Sequence, residues 1–347
     1  MNNPATEIHT ERIPAPDSLD AQLDLLHSKG WTDGLPVVPP TAERVVAMMA
    51  GTHRSSDALI GLVPPRWGTA TVDVIAANAV MAGCLPEHMP VIITALEALL
   101  DKRFNLYGTQ ATTHAVAPLL ILNGPVVEAL NFNFGYNLFG PGWRANASVG
   151  RAINLILRNV GGALPGALDR STAGQPGKYT FCIAENEAEN PWQPLHVERG
   201  FRVEQSTVTV DAGGGILDLN DRSSRTAPDL MQILAQSLKI HAGNGHLMGG
   251  EPLLVVCPEH AFILHRDGIS KPQLKHYLWQ HARIPSSEFP DSYYRDEVEP
   301  LDDPNWIPLC YTPDQFIIIV GGGAGRHSMY IPTFAASYSV TREITDD

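Results

Sequence analysis

Short apolar runs that alternate with helical patterns constrain the fold of this chain more than any other feature. Three of them lie in APLLIL (117–122), EPLLVVC (251–257) and DQFIIIVGGG (314–323). Runs that are apolar on both faces are typical of strands in a covered sheet. We predict further strands at 179–184 and 206–212. Since strands alternate with helices, the sequence predicts an α/β fold with a mixed or mostly parallel sheet flanked by helices.

A shared pattern indicates two similar α/β halves. PLLILNGPVVEAL and PLLVVCPEHAFIL both read as a strand, a turn containing proline and a helix. A chain of 347 residues can hold two domains or one large domain. We predict a flexible N-terminal arm over 1–16, a first half with a helical N-terminal region over 17–200, and a second half over 201–347. A single domain is the alternative.

Charge and hydropathy argue against nucleic-acid and membrane partners. The formal net charge is -13, and no run of Lys or Arg offsets it, so polyanions are repelled. Proline and glycine interrupt the longest apolar stretches well before the roughly 20 residues that cross a bilayer. The polar N-terminus lacks the features of a secretory signal. We therefore expect a soluble cytoplasmic protein, and its four widely spaced cysteines should be free thiols.

The main candidate site lies in TFCIAENEAENPWQPLH, where Glu185 and Glu187 directly follow a predicted strand. Open α/β sheets bind ligands beyond the carboxyl ends of their strands. Residues i and i+2 of an extended chain point the same way, so both carboxylates are predicted to face one pocket. His196 follows a turn containing proline that can return it to this pair for proton transfer. A solvated acidic loop is the alternative.

Several other polar groups are candidates for holding a substrate anion. They follow the 314–323 strand, begin a predicted helix, or precede the 117–122 strand. Backbone N–H groups of glycines and helix starts bind anions well. The candidate substrate-binding residues are Gly322, Gly323, Arg326, His327, Arg144, Asn146 and His114.

Cys84 offers an alternative chemistry. It lies in AGCLPEHMP, between the end of one predicted helix and the start of the next, with His88 nearby as a base. The two helix dipoles act on a thiolate there in opposite directions. A nucleophilic or redox thiol and a buried structural thiol both remain open.

Histidines do not predict a metal site. His241 and His246 with Glu251 come closest, and His114, His196 and His260 are scattered along the chain. Their spacing is not HExxH, and Gly-rich loops hold ligands loosely. A metal held by these histidines is an alternative that the spacing does not favour, so we predict no metal ligands, and the cofactor stays unknown.

Several segments together resemble an uncharacterised bacterial family that is associated with proteins carrying a UGSC (seleno)cysteine motif. The similar segments, which span about Trp31 to Arg342, are DGLPVVPPT, NAVMAGCLPEHMPV, GPGWRANASVGRA, GQPGKYTFCIAENE, PWQPLHVERGF and GGGAGRHS. The resemblance implies a bacterial enzyme or enzyme subunit that works with a thiol or selenol protein partner. This chain has no UGSC sequence of its own.

These features predict a bacterial enzyme that acts on a small polar or anionic metabolite. The reaction is acid/base-assisted cleavage of a carbon–heteroatom bond, as in a lyase or a hydrolase, with Glu185, Glu187 and His196 moving protons. A thiol enzyme using Cys84 is one alternative. A non-catalytic subunit is another, in which the apolar helices at 71–101 bury a partner or a second copy in a homo-oligomer.

Overall fold

A computed structural model describes residues 7–293 and 302–345, and within these ranges the chain forms twelve α-helices and twelve β-strands. The helices are α1 (Leu19–Ser28), α2 (Ala42–Met49), α3 (Val72–Ala82), α4 (Met89–Leu99), α5 (Leu106–Gln110), α6 (Val126–Ala129), α7 (Arg144–Asn159), α8 (Leu195–Glu198), α9 (Ala227–Ser237), α10 (Asn244–Met248), α11 (Pro258–Arg266) and α12 (Lys271–His281). The strands are β1 (Leu59–Val63), β2 (Gly68–Thr71), β3 (Ala117–Asn123), β4 (Cys182–Ala184), β5 (Thr207–Gly213), β6 (Leu217–Asn220), β7 (Leu253–Val256), β8 (Ile284–Pro285), β9 (Trp306–Ile307), β10 (Ile317–Val320), β11 (His327–Ile331) and β12 (Val340–Glu343).

Two four-stranded mixed sheets form the centre of the fold. The first has the order β12-β5-β3-β4, and the second has the order β10-β7-β11-β6. In each sheet one pair is parallel, β3 with β4 and β7 with β10, whereas the other neighbours are antiparallel. The fold therefore combines helices with mixed sheets, as an α/β fold does, but it is not a single sheet between helices.

The outer strands β6 and β12 each follow a strand of one sheet along the chain and pair in the other sheet. β5 belongs to the first sheet and leads into β6, which pairs with β11 of the second sheet. In turn β11 leads into β12, which returns to pair with β5. The predicted division at residue 200 therefore does not follow the sheets, because β5 lies in the first sheet and so does the last strand.

Alternation along the strands explains the apolar runs. Leu120 and Leu122 of β3 point into a core shared with α3, α4 and α7. Leu119 and Ile121 point the other way and pack with residues of β7 and β10 in the second sheet. Helices α9, α11 and α12 cover the outer face of that sheet. The layers are thus helices, sheet, sheet and helices, and β3 is apolar on both faces because a second sheet packs on it.

Side-chain caps begin the first two helices. The Ser18 and Thr41 hydroxyl oxygens accept hydrogen bonds from the N–H groups of Ala21 and Arg44 at the starts of α1 and α2. The strand predicted at 179–184 is shorter and covers only Cys182–Ala184. The Thr180 hydroxyl instead donates to carbonyl oxygens at the start of α7.

The described part of the N-terminal arm, residues 7–16, lies against the protein. The N–H groups of His9 and Thr10 donate to Asp73 Oδ2 at 2.9 and 3.0 Å. Ile8 packs on the hydrophobic core beside α3. These contacts attach residues 8–10 to the core, where we predicted a flexible arm over 1–16.

Helices α3 and α4 are covered by the chain itself. Their neighbours are α2, α7 and β5, and most of their side chains are buried. Since this face has no large exposed area, it does not supply the partner surface predicted at 71–101. No helix in the described part of the chain combines the length and the apolar character that spanning a membrane requires.

Candidate active site

The three predicted acid–base residues meet at the carboxyl ends of β3 and β4. Glu185 and Glu187 follow β4 directly, and the short helix α8 returns His196 to them. The Nδ1 atom of His196 lies 3.7 Å from Oε1 of Glu187. The segment is therefore not a solvated acidic loop, and its Trp192 donates to the Ile269 carbonyl oxygen and packs on the core of the second half.

One amide group holds the two carboxylates together. The side-chain Nδ2 of Asn123, the last residue of β3, donates to Glu185 Oε2 at 2.7 Å and to Glu187 Oε1 at 2.9 Å. The backbone N–H of Gly124 also donates to Glu187 Oε1, at 2.8 Å. Gly124 has φ +80°, and an added Cβ would lie 2.3 Å from the Gln205 carbonyl oxygen, so glycine is required here. Parallel pairing of β3 with β4 brings the amide to the carboxylates.

Glu185 is almost completely buried, with 1% of its surface exposed. Burial raises its pKa, and the negative charge of Glu187 adds to this effect. The charge of Lys271 and the hydrogen bonds from Asn123 and the Leu195 N–H act in the opposite direction. Asn190 Nδ2 donates to the other oxygen of Glu185 at 2.8 Å. Glu185 therefore binds a proton more readily than a glutamate in water.

Glu187 is the more accessible carboxylate, with a quarter of its side chain exposed. It lies beside Glu185 on the wall of a cavity of about 250 Å³. The cavity is also lined by Glu128 and Phe134, and its lining within the described residues contains no Lys or Arg. Oε2 of Glu187 has no hydrogen-bond partner among the described residues, so this oxygen is free to accept a proton.

His196 is fully buried behind Glu187. Neither ring nitrogen has a hydrogen-bond partner within residues 7–293 and 302–345. Asn123 of β3 and Thr207 of β5 lie opposite each other in the first sheet. The Oδ1 atom of Asn123 and the Oγ1 atom of Thr207 are also buried without a hydrogen-bond partner among the described residues. Buried polar atoms are normally paired, so this cluster has room for a water molecule or a proton-carrying group of a ligand.

Asn123 and Asn190 belong to the site although neither was predicted from the sequence. A polar residue that ends an otherwise apolar strand is the signal that would have identified Asn123. Asn190 appeared to belong to a solvated loop, but its side chain binds both Glu185 Oε1 and the Trp192 N–H.

The predicted anion-binding residues of α7 have structural roles instead. Arg144 donates to the Gly83 and Cys84 carbonyl oxygens at the end of α3. The Asn146 amide is buried, accepts from the Asn133 N–H, and donates to the carbonyl oxygens of Asn133 and Cys182. The buried Asn146 amide is therefore not available to a substrate, whereas the exposed Arg144 side chain is held at the end of α3 by these two hydrogen bonds.

The Gly-rich loop after β10 lies beside the carboxylate segment through its backbone. Asn186 Nδ2 donates to the Gly322 carbonyl oxygen at 3.3 Å, whereas Tyr136 covers Gly323. Arg326 donates to the carbonyl oxygens of two residues before α9. His327 is exposed and pairs with a carboxylate of β6 at 2.9 Å. These two side chains therefore do not contribute to the site as predicted.

His114 lies at the opposite end of the first sheet. It precedes β3, whereas Asn123 ends that strand. Its ring packs on Phe334, and burial lowers its pKa, with the charge of Lys178 as a smaller cause. His114 is thus separated from the carboxylates by the length of the strand.

Cys84 is not an activated thiol. Its side chain is buried, and burial raises its pKa to about 12. Nδ1 of His88 accepts a hydrogen bond from the Leu85 N–H and so is not directed to the sulfur. The structure therefore opposes the predicted Cys84 nucleophile.

We expect iodoacetamide at pH 8 to alkylate the native protein at least about 100-fold more slowly than free cysteine. All four cysteines are buried, so none offers an accessible thiolate. Intact-protein mass spectrometry over time measures the rate, with denatured protein as the control that takes up the reagent at every cysteine. Rapid modification of Cys84 in the native protein would restore the thiol alternative.

The histidines considered as metal ligands lie apart. His241 pairs with Glu288, the His246 ring hydrogen-bonds to the Ala282 carbonyl oxygen, and Glu251 accepts from Ser339. Within the described ranges no three His, Cys, Asp or Glu side chains are grouped so that they could hold a metal ion.

Comparisons with known proteins provide no relative from which a function could be transferred. No family model, curated protein or solved structure matches the chain. The resemblance to the UGSC-associated family therefore stays a prediction from the sequence.

Proposed function

We propose that this protein is an acid–base enzyme that breaks a carbon–heteroatom bond in a small polar molecule, as a lyase or a hydrolase does. The observation that carries the proposal is the pair of carboxylates that share the Asn123 amide at 2.7 and 2.9 Å. One carboxylate is buried and the other faces a cavity. Carboxyl groups in such different environments are suited to opposite roles in proton transfer.

Glu187 takes the proton from the substrate in this scheme. Two hydrogen bonds, from Asn123 and Gly124, fix one of its oxygens and leave Oε2 open. These donors hold the carboxylate in one orientation, which reduces the reorganisation that proton transfer requires. The charge on Glu187 also makes it a point of attraction for a positively charged group.

Glu185 supplies a proton to the departing heteroatom. Its raised pKa keeps it protonated to a higher pH than an exposed glutamate, and it shares the cavity wall with Glu187. His196 lies behind Glu187 and does not line the cavity. It therefore acts as a second proton carrier and positioning residue, rather than as a group that contacts the substrate.

The charges of the site define the class of substrate more narrowly than the sequence did. Glu128 and Glu187 line the cavity as carboxylates beside the protonated Glu185, and the lining within the described residues contains no Lys or Arg. An anionic substrate would be repelled at this short range. We therefore propose a neutral substrate or one that carries an amino group.

The proposal can be tested with ¹H NMR on a panel of small polar compounds incubated with the protein. The panel contains matched triplets in which one substituent is an amine, its neutral amide or a carboxylate. We expect bond cleavage in an amine or neutral member, with the carboxylate member converted at least about 10-fold more slowly. Preferential conversion of carboxylates, or an absence of conversion across all triplets, contradicts the proposal.

A further inference from the structure

A second cavity, of about 610 Å³, lies at the other end of the first sheet. Its wall includes Pro118 near the start of β3, the end of α7, and the loop from 163 to 179. Asn123 and Glu187 are at the opposite end of β3, roughly 20 Å away along a strand of this length. This cavity is therefore separate from the carboxylate site.

One cation on the cavity wall, Arg158, has no side-chain partner among the residues that the structure describes. Arg158 lies in the last turn of α7 and is only partly exposed. Its Nε atom is buried without a hydrogen-bond partner, and within the described residues its guanidinium makes no ion pair. Buried atoms of charged groups normally have a hydrogen-bond or ion-pair partner, because moving such an atom out of water without one costs free energy.

The carboxylates around this cavity are already neutralised by other cations. Asp33 binds Arg151 through two hydrogen bonds of 2.7 and 2.8 Å. Asp169 binds Lys178 at 2.8 Å. Arg151 lies outside the cavity lining, whereas Lys178 and Arg158 belong to it. Because Arg151 and Lys178 take up the two carboxylates, Arg158 is the lining cation without a carboxylate partner among the described residues.

We propose that this cavity binds a small anion, a molecule carrying a carboxylate or phosphate group, with Arg158 as its principal ligand. The planar guanidinium presents several N–H donors that fit such oxyanions in a bidentate way. Gln110 and Tyr179 on the same wall have no side-chain hydrogen bond among the described residues and can serve as further polar contacts. The ion pair of Lys178 and Asp169 also lines this cavity.

Isothermal titration calorimetry at low ionic strength, with inorganic phosphate and with succinate as probes, tests this site. We expect saturable binding of at least one probe to the wild-type protein. Arg158→Gln should weaken it about 10-fold or more, and Arg158→Lys less. Arg170→Gln is the matched control, because Arg170 is exposed on the same loop and does not line the cavity. Preference for one probe identifies the phosphate or the carboxylate as the source of the anion.

A measurement on the wild-type protein covers the case in which the Arg158 variants fail to fold. Phenylglyoxal modifies accessible arginines, and peptide mass spectrometry gives the extent of reaction at each site. We expect the binding probe to protect Arg158 and to leave Arg170 unprotected. The proposal is overturned if neither probe binds the wild type, if Arg158→Gln binds as tightly as the wild type, or if Arg158 is not protected.

Discussion

Replacing Glu187 by Gln is expected to lower kcat/KM by about 10²–10⁴-fold for any substrate that the protein converts. Glutamine keeps the shape of the side chain and retains an oxygen that can accept from Asn123 and Gly124. It removes the negative charge and the free oxygen that accepts the proton. The measurement is steady-state turnover of wild type and variant with a compound found in the NMR panel.

Glu189→Gln is the matched control for this substitution. Glu189 lies in the same short 3₁₀ helix, Glu187–Glu189, and carries the same charge, but it is exposed and does not line the cavity. We expect its turnover to stay within about twofold of the wild type and both variants to unfold at similar temperatures. Activity close to that of the wild type in both variants would remove Glu187 from the mechanism. A similar loss of activity in both variants would indicate a general effect of charge.

The convergence of Glu185, Glu187 and His196 could be predicted because it depends on local rules. A strand end places its following residues at a sheet edge. The predicted alternation of i and i+2 is not what aligns the carboxylates, because the chain turns at Asn186 and Glu187 begins a 3₁₀ helix. Proline on both sides of Trp192 signals the turn that returns His196. Each of these features is contained in one segment of about a dozen residues, so no information about distant segments was needed.

The supporting residues could not be predicted in the same way, because their roles depend on pairing between distant segments. Asn123 reaches the carboxylates only because β3 pairs with β4. Arg144 and Asn146 had the residue types of an anion site at a helix start, yet α3 and β4 present carbonyl oxygens that their side chains satisfy. The sequence does not reveal which backbone groups need a side-chain donor.

The buried strands could be predicted from the sequence, but the packing of one sheet on another could not. A strand that is apolar on both faces is compatible with helices on both sides or with a second sheet on one side, and the sequence favoured the first interpretation. The repeated pattern around 118 and 252 marks equivalent strands, β3 and β7, in two sheets of the same order. Exchange of β6 and β12 involves pairing over more than a hundred residues, for which no local pattern exists.

A second buried carboxylate leads to a prediction about stability. Asp211 of β5 pairs with Leu119, so its side chain points between the sheets, and 2% of its surface is exposed. One carboxylate oxygen accepts from the Ala212 N–H at 2.8 Å, and the other has no partner among the described residues. Burial raises the pKa of Asp211 from 3.8 to about 7, the charge of Glu251 adds to the rise, and Arg199 opposes it.

We expect Asp211→Asn to increase the free energy of unfolding by about 2–4 kcal/mol at pH 8. A carboxyl group with a raised pKa binds its proton more tightly in the folded state. Its contribution to stability is therefore complete below pH 3.8 and is lost as the pH rises through about 7. Asparagine keeps the acceptor for the Ala212 N–H and has no charge to bury. At pH 5 the folded wild type is largely protonated at Asp211, so the gain in the free energy of unfolding should shrink to about 1 kcal/mol.

Urea unfolding of wild type and variant between pH 5 and pH 8 measures this difference, with Asp57→Asn as the control. Asp57 is exposed, so its loss should change the free energy of unfolding by less than about 0.5 kcal/mol at every pH. A variant that is less stable than the wild type at pH 8 would show that Asp211 is held as a charged partner of Arg199. In that case the charge of Arg199, and not burial, determines the pKa of Asp211 and lowers it. The free energy of unfolding of the wild type should then increase as the pH rises.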